Sequence, residues 1–152
     1  MTDNREAILA RLEVVLAAIA GIESFARNRG LRDNDSRPGI VLLDGDESER
    51  PPRVGRNVAG RQSMLPVFMA MRPQVFVLMD TRKPQNVGIG TDINAFRTAI
   101  IRAVAADATL RALVGTNGDI VYNGSETDLK SGSPLDGEMR LDFTFSYFVD
   151  PY

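Results

Sequence analysis

The chain has 152 residues and a formal net charge of −2; 43% of its residues are apolar and 25% are charged. It contains no Cys and no His, which excludes Cys/His zinc sites, thiolate nucleophiles, imidazole bases and disulfide bridges. A near-neutral chain of this length is expected to form a single domain over residues 1–152, without a basic field that would attract nucleic acid.

The same composition favours a protein that works without a cofactor and away from membranes. No apolar run approaches the ~20 residues that would cross a bilayer. The N-terminal sequence MTDNRE lacks the basic start of a signal peptide. Because nothing indicates an oxidising compartment, we expect the chain to assemble in the cytoplasm.

The first predicted element is a helix from about Asp3 to Ala20. Glu6 follows Asp3 at the spacing of a capping box, and acidic residues in the first turn suit the helix dipole. Gly21 ends the pattern. The apolar residues at helical spacing are Ile8, Leu12, Val15, Ile19 and Ile22. Packing against a core explains this helix without a ligand.

Two short strands are predicted next. Ser24–Arg29 contains one apolar contact residue, Phe25, and is followed by a polar loop over residues 30–38. Gly39–Asp44 is a stronger strand prediction, because it is short, apolar, and preceded by Pro38.

The most unusual stretch is Asp44–Arg61, DGDESERPPRVGRNVAGR, in which almost nothing is apolar. We predict an extended charged loop between strands, since a connection of this length in a compact domain is either functional or disordered. Its acidic residues precede its basic residues, and Pro51-Pro52 lies near the boundary. These charged residues are Asp44, Asp46, Glu47 and Glu49, followed by Arg50, Arg53, Arg56 and Arg61.

A long apolar stretch follows over Gln62–Met79. Pro66 and Pro73 interrupt it, so we predict either one bent strand or two consecutive strands, with each proline at an edge, a bulge or a strand start. Asp80–Gly90 gives no strand signal and is predicted to be a loop.

A second helix is predicted to begin near Thr91, a suitable N-cap, with Asp92 in its first turn. Its buried stripe comprises Ile93, Phe96, Ile100 and Val104. Asp107 is expected to cap a shorter continuation that carries Leu110 and Leu113, and Gly115 to end it.

The C-terminal part predicts strands. Asn117-Gly118 is a turn signal before a strand over Asp119–Asn123, and Ser125–Asp128 is interpreted as a loop between strands. Met139–Val149 alternates strictly between apolar and polar residues, which indicates a strand with one buried and one wet face. Phe148 alone breaks the alternation, and an aromatic residue on the polar face is a candidate contact for a partner.

Together these elements predict an α+β domain: a mostly antiparallel sheet with two main helices packed on one face and a long charged loop between strands. No internal repeat is present.

Two chemical hypotheses follow from the loops. Asp44, Asp46 and Glu47 would hold Mg²⁺ if they converged, although acidic turns after strands are frequent and no phosphate-binding glycine loop accompanies them. Gly88-Ile89-Gly90 before a helix hints at a phosphate site. It lacks the third glycine of a dinucleotide fingerprint, so a flexible entry to the helix is favoured. We predict no catalytic residue, no metal site and no cofactor.

The arginines of the charged loop leave three interpretations open. In a ring of subunits they would be repeated around a pore and meet the phosphates of passing DNA. They would equally pair with the acidic residues of a neighbouring subunit, or belong to a disordered segment.

The order of these motifs resembles small tail-terminator and minor tail proteins of long-tailed bacteriophages, including the lambda-type terminators and their relatives in prophages and gene-transfer agents. The stretches that carry the resemblance are REAILARL, GIVLLDGDE with the charged loop, RPQVFVLM, NAFRTAIIRAVAADATLRALVG, NGDIVYNG and GEMRLDFTFSYFVDP. They span nearly the whole chain, and none is a catalytic signature.

The resemblance implies a structural virion protein and no enzyme. Such proteins form a hexameric ring on the head-proximal end of the tail tube, stop tube polymerisation and present a docking face for the head connector. The implied partners are further copies of the chain, the tail tube protein, the connector and, transiently, DNA. A head–tail connector or tail-completion protein is the alternative within virions, and a Mg²⁺-dependent hydrolase or nuclease is the alternative outside them.

The interface candidates lie in the two polar loops and on the last strand. Opposite charges within one loop would orient neighbouring subunits more than bind them, because exposed ion pairs are worth only about 0–1 kcal/mol. The candidates are Asp44, Asp46, Glu47, Glu49, Arg50, Arg53, Arg56, Arg61, Arg82, Lys83 and Phe148.

Overall fold

The structure, a computed structural model, describes residues 4–50, 57–58, 61–62, 67–79, 89–128 and 137–149. Within these ranges the helices are α1 (Asn4–Ala17), α2 (Ile89–Ala106) and α3 (Ala108–Val114). The strands are β1 (Ser24–Arg27), β2 (Gly39–Glu49), β3 (Asn57–Val58), β4 (Arg61–Gln62), β5 (Val67–Leu78), β6 (Asp119–Asp128) and β7 (Glu138–Val149).

Five of the strands form one sheet in the order β1-β2-β5-β7-β6, and β3 and β4 form a separate small hairpin. The pairings β2–β5, β5–β7 and β7–β6 are antiparallel, whereas β1 runs parallel to β2. The α+β prediction with a mostly antiparallel sheet is therefore confirmed. The sheet ends in two edge strands, β1 and β6.

The core lies between one face of the sheet and the three described helices. The alternation predicted for the last strand is confirmed, because its odd-numbered residues are all in the core from Met139 to Tyr147. The helices contribute the apolar stripes predicted for them, including Ile8, Leu12, Ile93 and Ile100, all at most 1% exposed. Burying these side chains is the main stabilising contribution, at about 1.5–3 kcal/mol each.

A line of irregularities crosses the sheet at one level, and we call it the crease. The β2–β5 register shifts between Leu43 and Asp46, opposite Pro73, and the β6–β7 register shifts at Asn123. Pairing between β5 and β7 is interrupted at the same level, between Met71 and Gln74. Proline lacks the N–H that a ladder needs, so Pro73 lies where the ladders pause. Of the two predicted alternatives for Gln62–Met79, a single strand is observed over Val67–Leu78, whereas Gln62 belongs to β4.

Gly45 explains why the crease forms where it does. Its φ is +71°, and a Cβ at this position would lie 1.9 Å from the Arg72 carbonyl oxygen. Only glycine permits that backbone conformation together with such a close approach.

Two strands extend further than the sequence pattern predicts. β2 continues through Glu49, so the first part of the expected charged loop is strand, and β3 and β4 form a hairpin further along it. Residues 125–128, expected to be a loop, belong to β6. Both errors have one cause: these segments lie near the ends of the sheet, where backbone pairing with β5 or β7 specifies a strand without apolar alternation.

The helix predictions are close to the observed bounds. α1 ends at Ala17 rather than near Ala20, and α2 begins at Ile89 rather than near Thr91. Ile89 and Gly90 are thus the first residues of α2, and Gly88 lies outside the described residues. Asp107 caps α3 as predicted, accepting a hydrogen bond from the Leu110 amide at 2.8 Å, and Gly115 follows the helix with φ +79°.

Candidate interaction surfaces

The acidic residues that follow residue 43 are held apart by three different partners. Asp44 accepts hydrogen bonds from the Arg27 guanidinium at 2.8 and 3.0 Å. Asp46 lies 3.4 Å from the Arg72 guanidinium. Glu47 accepts a hydrogen bond from the Tyr147 hydroxyl. Each carboxylate is thus tied to a separate part of the sheet.

This placement does not suit a metal site. Asp46 and Glu47 are consecutive strand residues, so their side chains point to opposite faces of the sheet. Glu49, exposed near the end of β2, lies opposite Met69. Within the described residues no three Asp or Glu side chains are grouped closely enough to hold a metal ion. The acidic cluster that the hypothesis of a Mg²⁺ site requires is not assembled within the described residues.

Arg27 is the centre of an ion-pair network that joins three elements. Besides Asp44 on β2, its guanidinium binds the Glu6 carboxylate of α1 through two hydrogen bonds of 2.9 Å. Glu13 of α1 lies 3.9 Å away. Arg27 is 20% exposed, so partial burial strengthens these bonds relative to bonds in water. The network fixes α1 against the β1–β2 edge of the sheet.

The protonation of this network follows from its geometry. Hydrogen bonding to Arg27 lowers the pKa of Glu6 and of Asp44, and a hydrogen bond involving the Asn28 side chain lowers the pKa of Asp44 further. The two carboxylates, Glu6 first, raise the pKa of Arg27 above its ordinary value. The three groups therefore stay charged at neutral pH and act as structural ties.

A second ion pair joins α1 to the junction of α2 and α3. Arg11 binds the Asp107 carboxylate in a fork, with nitrogen–oxygen distances of 2.6 to 3.2 Å. The hydrogen bonds from Arg11 lower the pKa of Asp107, and the Leu110 amide lowers it further. One carboxylate thus caps α3 and anchors α1.

The second face of the sheet, opposite the helices, is the main candidate surface, and we call it the outer face. Its charged, amide and aromatic side chains include Asp46, Phe68, Arg72, Gln74, Glu126, Arg140, Asp142 and Phe148, and the register also places Val41, Leu43, Phe76 and Leu78 on this face. Basic and acidic groups alternate across the strands: Arg140 binds Glu126 at 2.9 Å and Asp142 at 3.2 Å. Arg72 and Asp46 are 44% and 72% exposed. No described helix covers these charges.

An aromatic group lies at one end of the outer face. Phe148, predicted to interrupt the polar side of the last strand, packs on Phe68 with 4.8 Å between ring centroids. The Arg50 guanidinium lies 5.3 Å from the Phe68 ring and 3.7 Å from the Asp119 carboxylate. Two of the predicted interface residues, Arg50 and Phe148, are thus brought together. Phe68 was not predicted, because its partners are distant in sequence.

The remaining interface candidates cannot be placed on this surface. Arg53, Arg56, Arg82 and Lys83 lie outside the described residues. Arg61 belongs to β4, and only its backbone is described.

A cleft beside β6 is a further feature that sequence reasoning missed. It has a volume of about 420 Å³ and lies between the α2–α3 helices and the first residues of β6. Its lining is mostly apolar and includes Ile101, Val104, Val114, Ile120, Tyr122 and Phe143. Arg97 binds the Tyr122 hydroxyl at 3.1 Å, and Arg111 also lines the cleft. Such a site appears only when helices and an edge strand meet in three dimensions.

Comparison with known proteins finds similarity in the fold alone. No family model matches the chain, and none of the curated proteins matches it significantly. Among solved structures, the fold is similar to a chain of "Virion of native gene transfer agent (GTA) particle". The two chains share 16% sequence identity with a TM-score of 0.42, over 96% of this chain and 93% of that one. Values this low assign no function to the present chain.

None of the described helices is both long enough and apolar enough to cross a membrane.

Proposed function

We propose that this protein is a structural virion subunit: a tail terminator whose copies form a ring on the head-proximal end of a phage tail tube. In the family that the sequence resembles, the ring has six subunits. It covers the growing end of the tube so that no further tube protein adds, and it offers its other side to the head connector.

The outer face is the observation that carries this proposal. Its positive and negative charges are partly exposed on paired strands. Such a surface can dock against another protein in one orientation. Salt-bridged, exposed charges contribute little affinity but strongly favour one register over others. The aromatic pair of Phe68 and Phe148 adds apolar area of the kind that anchors interfaces.

The placement of the carboxylates supports an assembly role over a catalytic one. Asp44 and Glu6 hold α1 to the sheet through Arg27. Asp107 holds α1 to the junction of α2 and α3, and Asp46 and Glu47 face opposite sides of the sheet. A Mg²⁺-dependent hydrolase or nuclease needs these acids to converge on one ion, and the described geometry separates them.

The proposal is tested by deleting the gene and complementing it. Loss of a terminator gives overlong tails, whereas loss of a connector or tail-completion protein gives tails of normal length and unattached heads. Negative-stain microscopy of the purified protein should show rings about 60–80 Å across, given a subunit radius of gyration of roughly 15 Å. A protein that stays monomeric and does not bind tubes would overturn the proposal.

A pair of matched variants tests the outer face itself. Arg72→Glu reverses one exposed charge on β5, and we expect it to abolish complementation while the protein still folds. Arg102→Glu reverses an exposed charge on α2, on the helical side, and should complement normally. Equal complementation by both variants would exclude the outer face as the docking surface.

Contact with DNA is a narrower proposal within the same ring. Of the arginines proposed for it, Arg50 has its charge partly compensated by Asp119. A salt-dependent interaction of assembled rings with duplex DNA, absent for the monomer, would support it.

A further inference from the structure

The two edges of the five-stranded sheet differ in how well they are protected. β6 has ten residues and, among the described strands, pairs only with β7. Its sequence, DIVYNGSETD, contains no lysine, arginine or proline. Natural edge strands usually carry such residues to prevent pairing with another chain. The bulge at Asn123 and the acidic residues after it limit pairing beyond Tyr122. The first residues of β6 are therefore the part of this edge best suited to accept a partner.

The opposite edge, β1, has the geometry of that partner. β1 runs parallel to β2, and three antiparallel pairings separate β2 from β6, so β1 and β6 point in opposite directions. A second copy shifted sideways along the sheet, without turning over, therefore presents its β1 antiparallel to β6 of the first copy. The helices of both copies then lie on the same side of the joined sheet.

The lengths of the two pairing segments also match. The register shift after Tyr122 leaves four regular residues at the start of β6, Asp119–Tyr122. β1 has four residues, Ser24–Arg27. A bulge ends regular pairing on the bulged strand, so the added strand would stop where β1 stops.

The cleft lies beside this segment of β6. In β1, Phe25 is on the helix-facing side, opposite Ile40, and is half-buried. In the joined sheet its ring would point toward the helix-facing side of the neighbour's β6, where Ile120 and Tyr122 line the cleft. Backbone pairing with a side chain in an adjacent pocket is the general form of strand addition.

The charges of the two edges are complementary. β6 carries Asp119, Glu126 and Asp128 and no basic residue, whereas residues 24–38 contain more arginines than aspartates. Arg37 forms no ion pair within the described residues, whereas the Arg32 amide donates a hydrogen bond to the Asp35 carboxylate. Asp119 and Glu126 are already paired with Arg50 and Arg140, so the difference in charge between the two edges orients copies more than it binds them.

We infer that the partner of the β6 edge is a second copy of this chain, whose β1 strand extends the sheet by pairing antiparallel with Asp119–Val121. Ser24 then lies opposite Val121 and Phe25 opposite Ile120, so that paired side chains share a face of the joined sheet. This inference rests on the proposed ring and identifies its subunit contact. Such a contact is head-to-tail, and it closes into a ring when the rotation between neighbours divides a full turn.

Cysteine cross-linking tests the contact directly, because the chain has no native cysteine. Ser24 and Val121 both lie on the outer-face side of their strands. Under mild oxidation the Ser24→Cys/Val121→Cys variant should give a ladder of covalent oligomers. A Val14→Cys/Val121→Cys variant, which places one cysteine on exposed α1, should give none.

A charge placed on the edge provides an independent measurement. Val121 is 39% exposed and Val14 is 55% exposed, so lysine fits at either position without entering the core. Val121→Lys should raise the dissociation constant of the subunit contact by at least about tenfold. Val14→Lys should change this constant less than about twofold. The circular dichroism spectra of both variants should match that of the wild type, which checks that both variants fold.

The outcomes separate this inference from the proposed function. If wild-type rings form but neither Val121→Lys nor the Ser24/Val121 pair shows the expected effect, the edge contact is wrong and the ring stands. If the wild-type chain is monomeric at every concentration, with and without tail tubes, both are overturned. Cross-linked open chains that never close would retain the contact and overturn the ring.

Discussion

Arg27 donates two hydrogen bonds to the Asp44 carboxylate, at 2.8 and 3.0 Å, across the parallel strands β1 and β2. The same guanidinium binds Glu6 on α1. Asp44, which the sequence suggested as the first acid of a functional loop, is therefore part of the ion-pair network that holds the edge of the sheet to α1.

Substituting Arg27 measures how much this ion-pair network contributes to the free energy of unfolding. Arg27→Ala leaves two carboxylates close together without a counter-charge, and we expect the free energy of unfolding to fall by about 2 kcal/mol. Arg29→Ala removes a more exposed side chain whose ion pair with Asp35 is 3.5 Å long, and should cost less than about 1 kcal/mol. Urea denaturation measures both. Equal losses would show that the Arg27 network contributes no more than a surface pair.

The same network predicts how stability depends on pH. Folding lowers the pKa of Asp44 and Glu6 below their ordinary values of 3.8 and 4.5. Their stabilising contribution is therefore fully present above about pH 5 and is lost as the pH falls through the lowered values. Urea unfolding between about pH 5 and 2 should show a steeper loss for the wild type than for Asp44→Asn. Parallel curves would contradict this prediction.

The two roles of Asp107 can be separated by substitution. Asp107→Ala removes both the cap of α3 and the anchor for Arg11, and the loss of the cap alone should cost about 1–2 kcal/mol. Asp107→Asn keeps an oxygen for the Leu110 amide but removes the charge that faces Arg11, so it should cost less. Thermal or urea unfolding compares them. If asparagine is as damaging as alanine, the ion pair outweighs the cap.

Gly45 offers a test of the crease. Gly45→Ala forces a Cβ toward the Arg72 carbonyl oxygen at φ +71°, and should destabilise the fold by at least about 2 kcal/mol. Gly115→Ala meets a similar φ, +79°, with open space around it. Because its ψ of 176° lies in a region that essentially only glycine adopts, Gly115→Ala should cost about 1–3 kcal/mol from backbone strain alone. Gly45→Ala should exceed it, because a backbone clash is added to the strain. A small effect at Gly45 would mean that the strands shift easily at this level.

Metal binding provides the test against the catalytic alternative. Because Asp44, Asp46 and Glu47 have separate partners, calorimetry with millimolar Mg²⁺ or Mn²⁺ should detect no heat of binding. Binding that disappears in Asp46→Asn would reverse this conclusion and restore the hydrolase hypothesis.

The parts of the fold that the sequence predicts well are those specified by local physics. The alternation of Met139–Val149 gives the strand and its buried face, and Asp107 with Gly115 gives both ends of α3. These signals need no knowledge of distant residues, because strand faces and helix caps depend on neighbours within a few positions.

The parts that it misses depend on distant partners. Residues 44–49 and 125–128 are polar, yet pairing with β5 and β7 makes them strands. Arg27 and Glu6 are far apart in sequence, and no local pattern around either residue indicates that the two form an ion pair. The cleft beside β6 likewise requires α2, α3 and β6 to be assembled before it exists. Periodicity cannot encode such relationships.

The crease marks a change on the outer face of the sheet, whereas the opposite face is buried on both sides of it. Val75 and Leu141 lie in the core on one side of the line through Gly45, Pro73 and Asn123, and Met71 and Phe145 lie in the core on the other. Beyond the line, the outer face carries Phe68 and Phe148. Substitutions there can change the exposed end of the sheet while the core residues stay in place. One scaffold can thus adapt to a new docking partner without rebuilding its core.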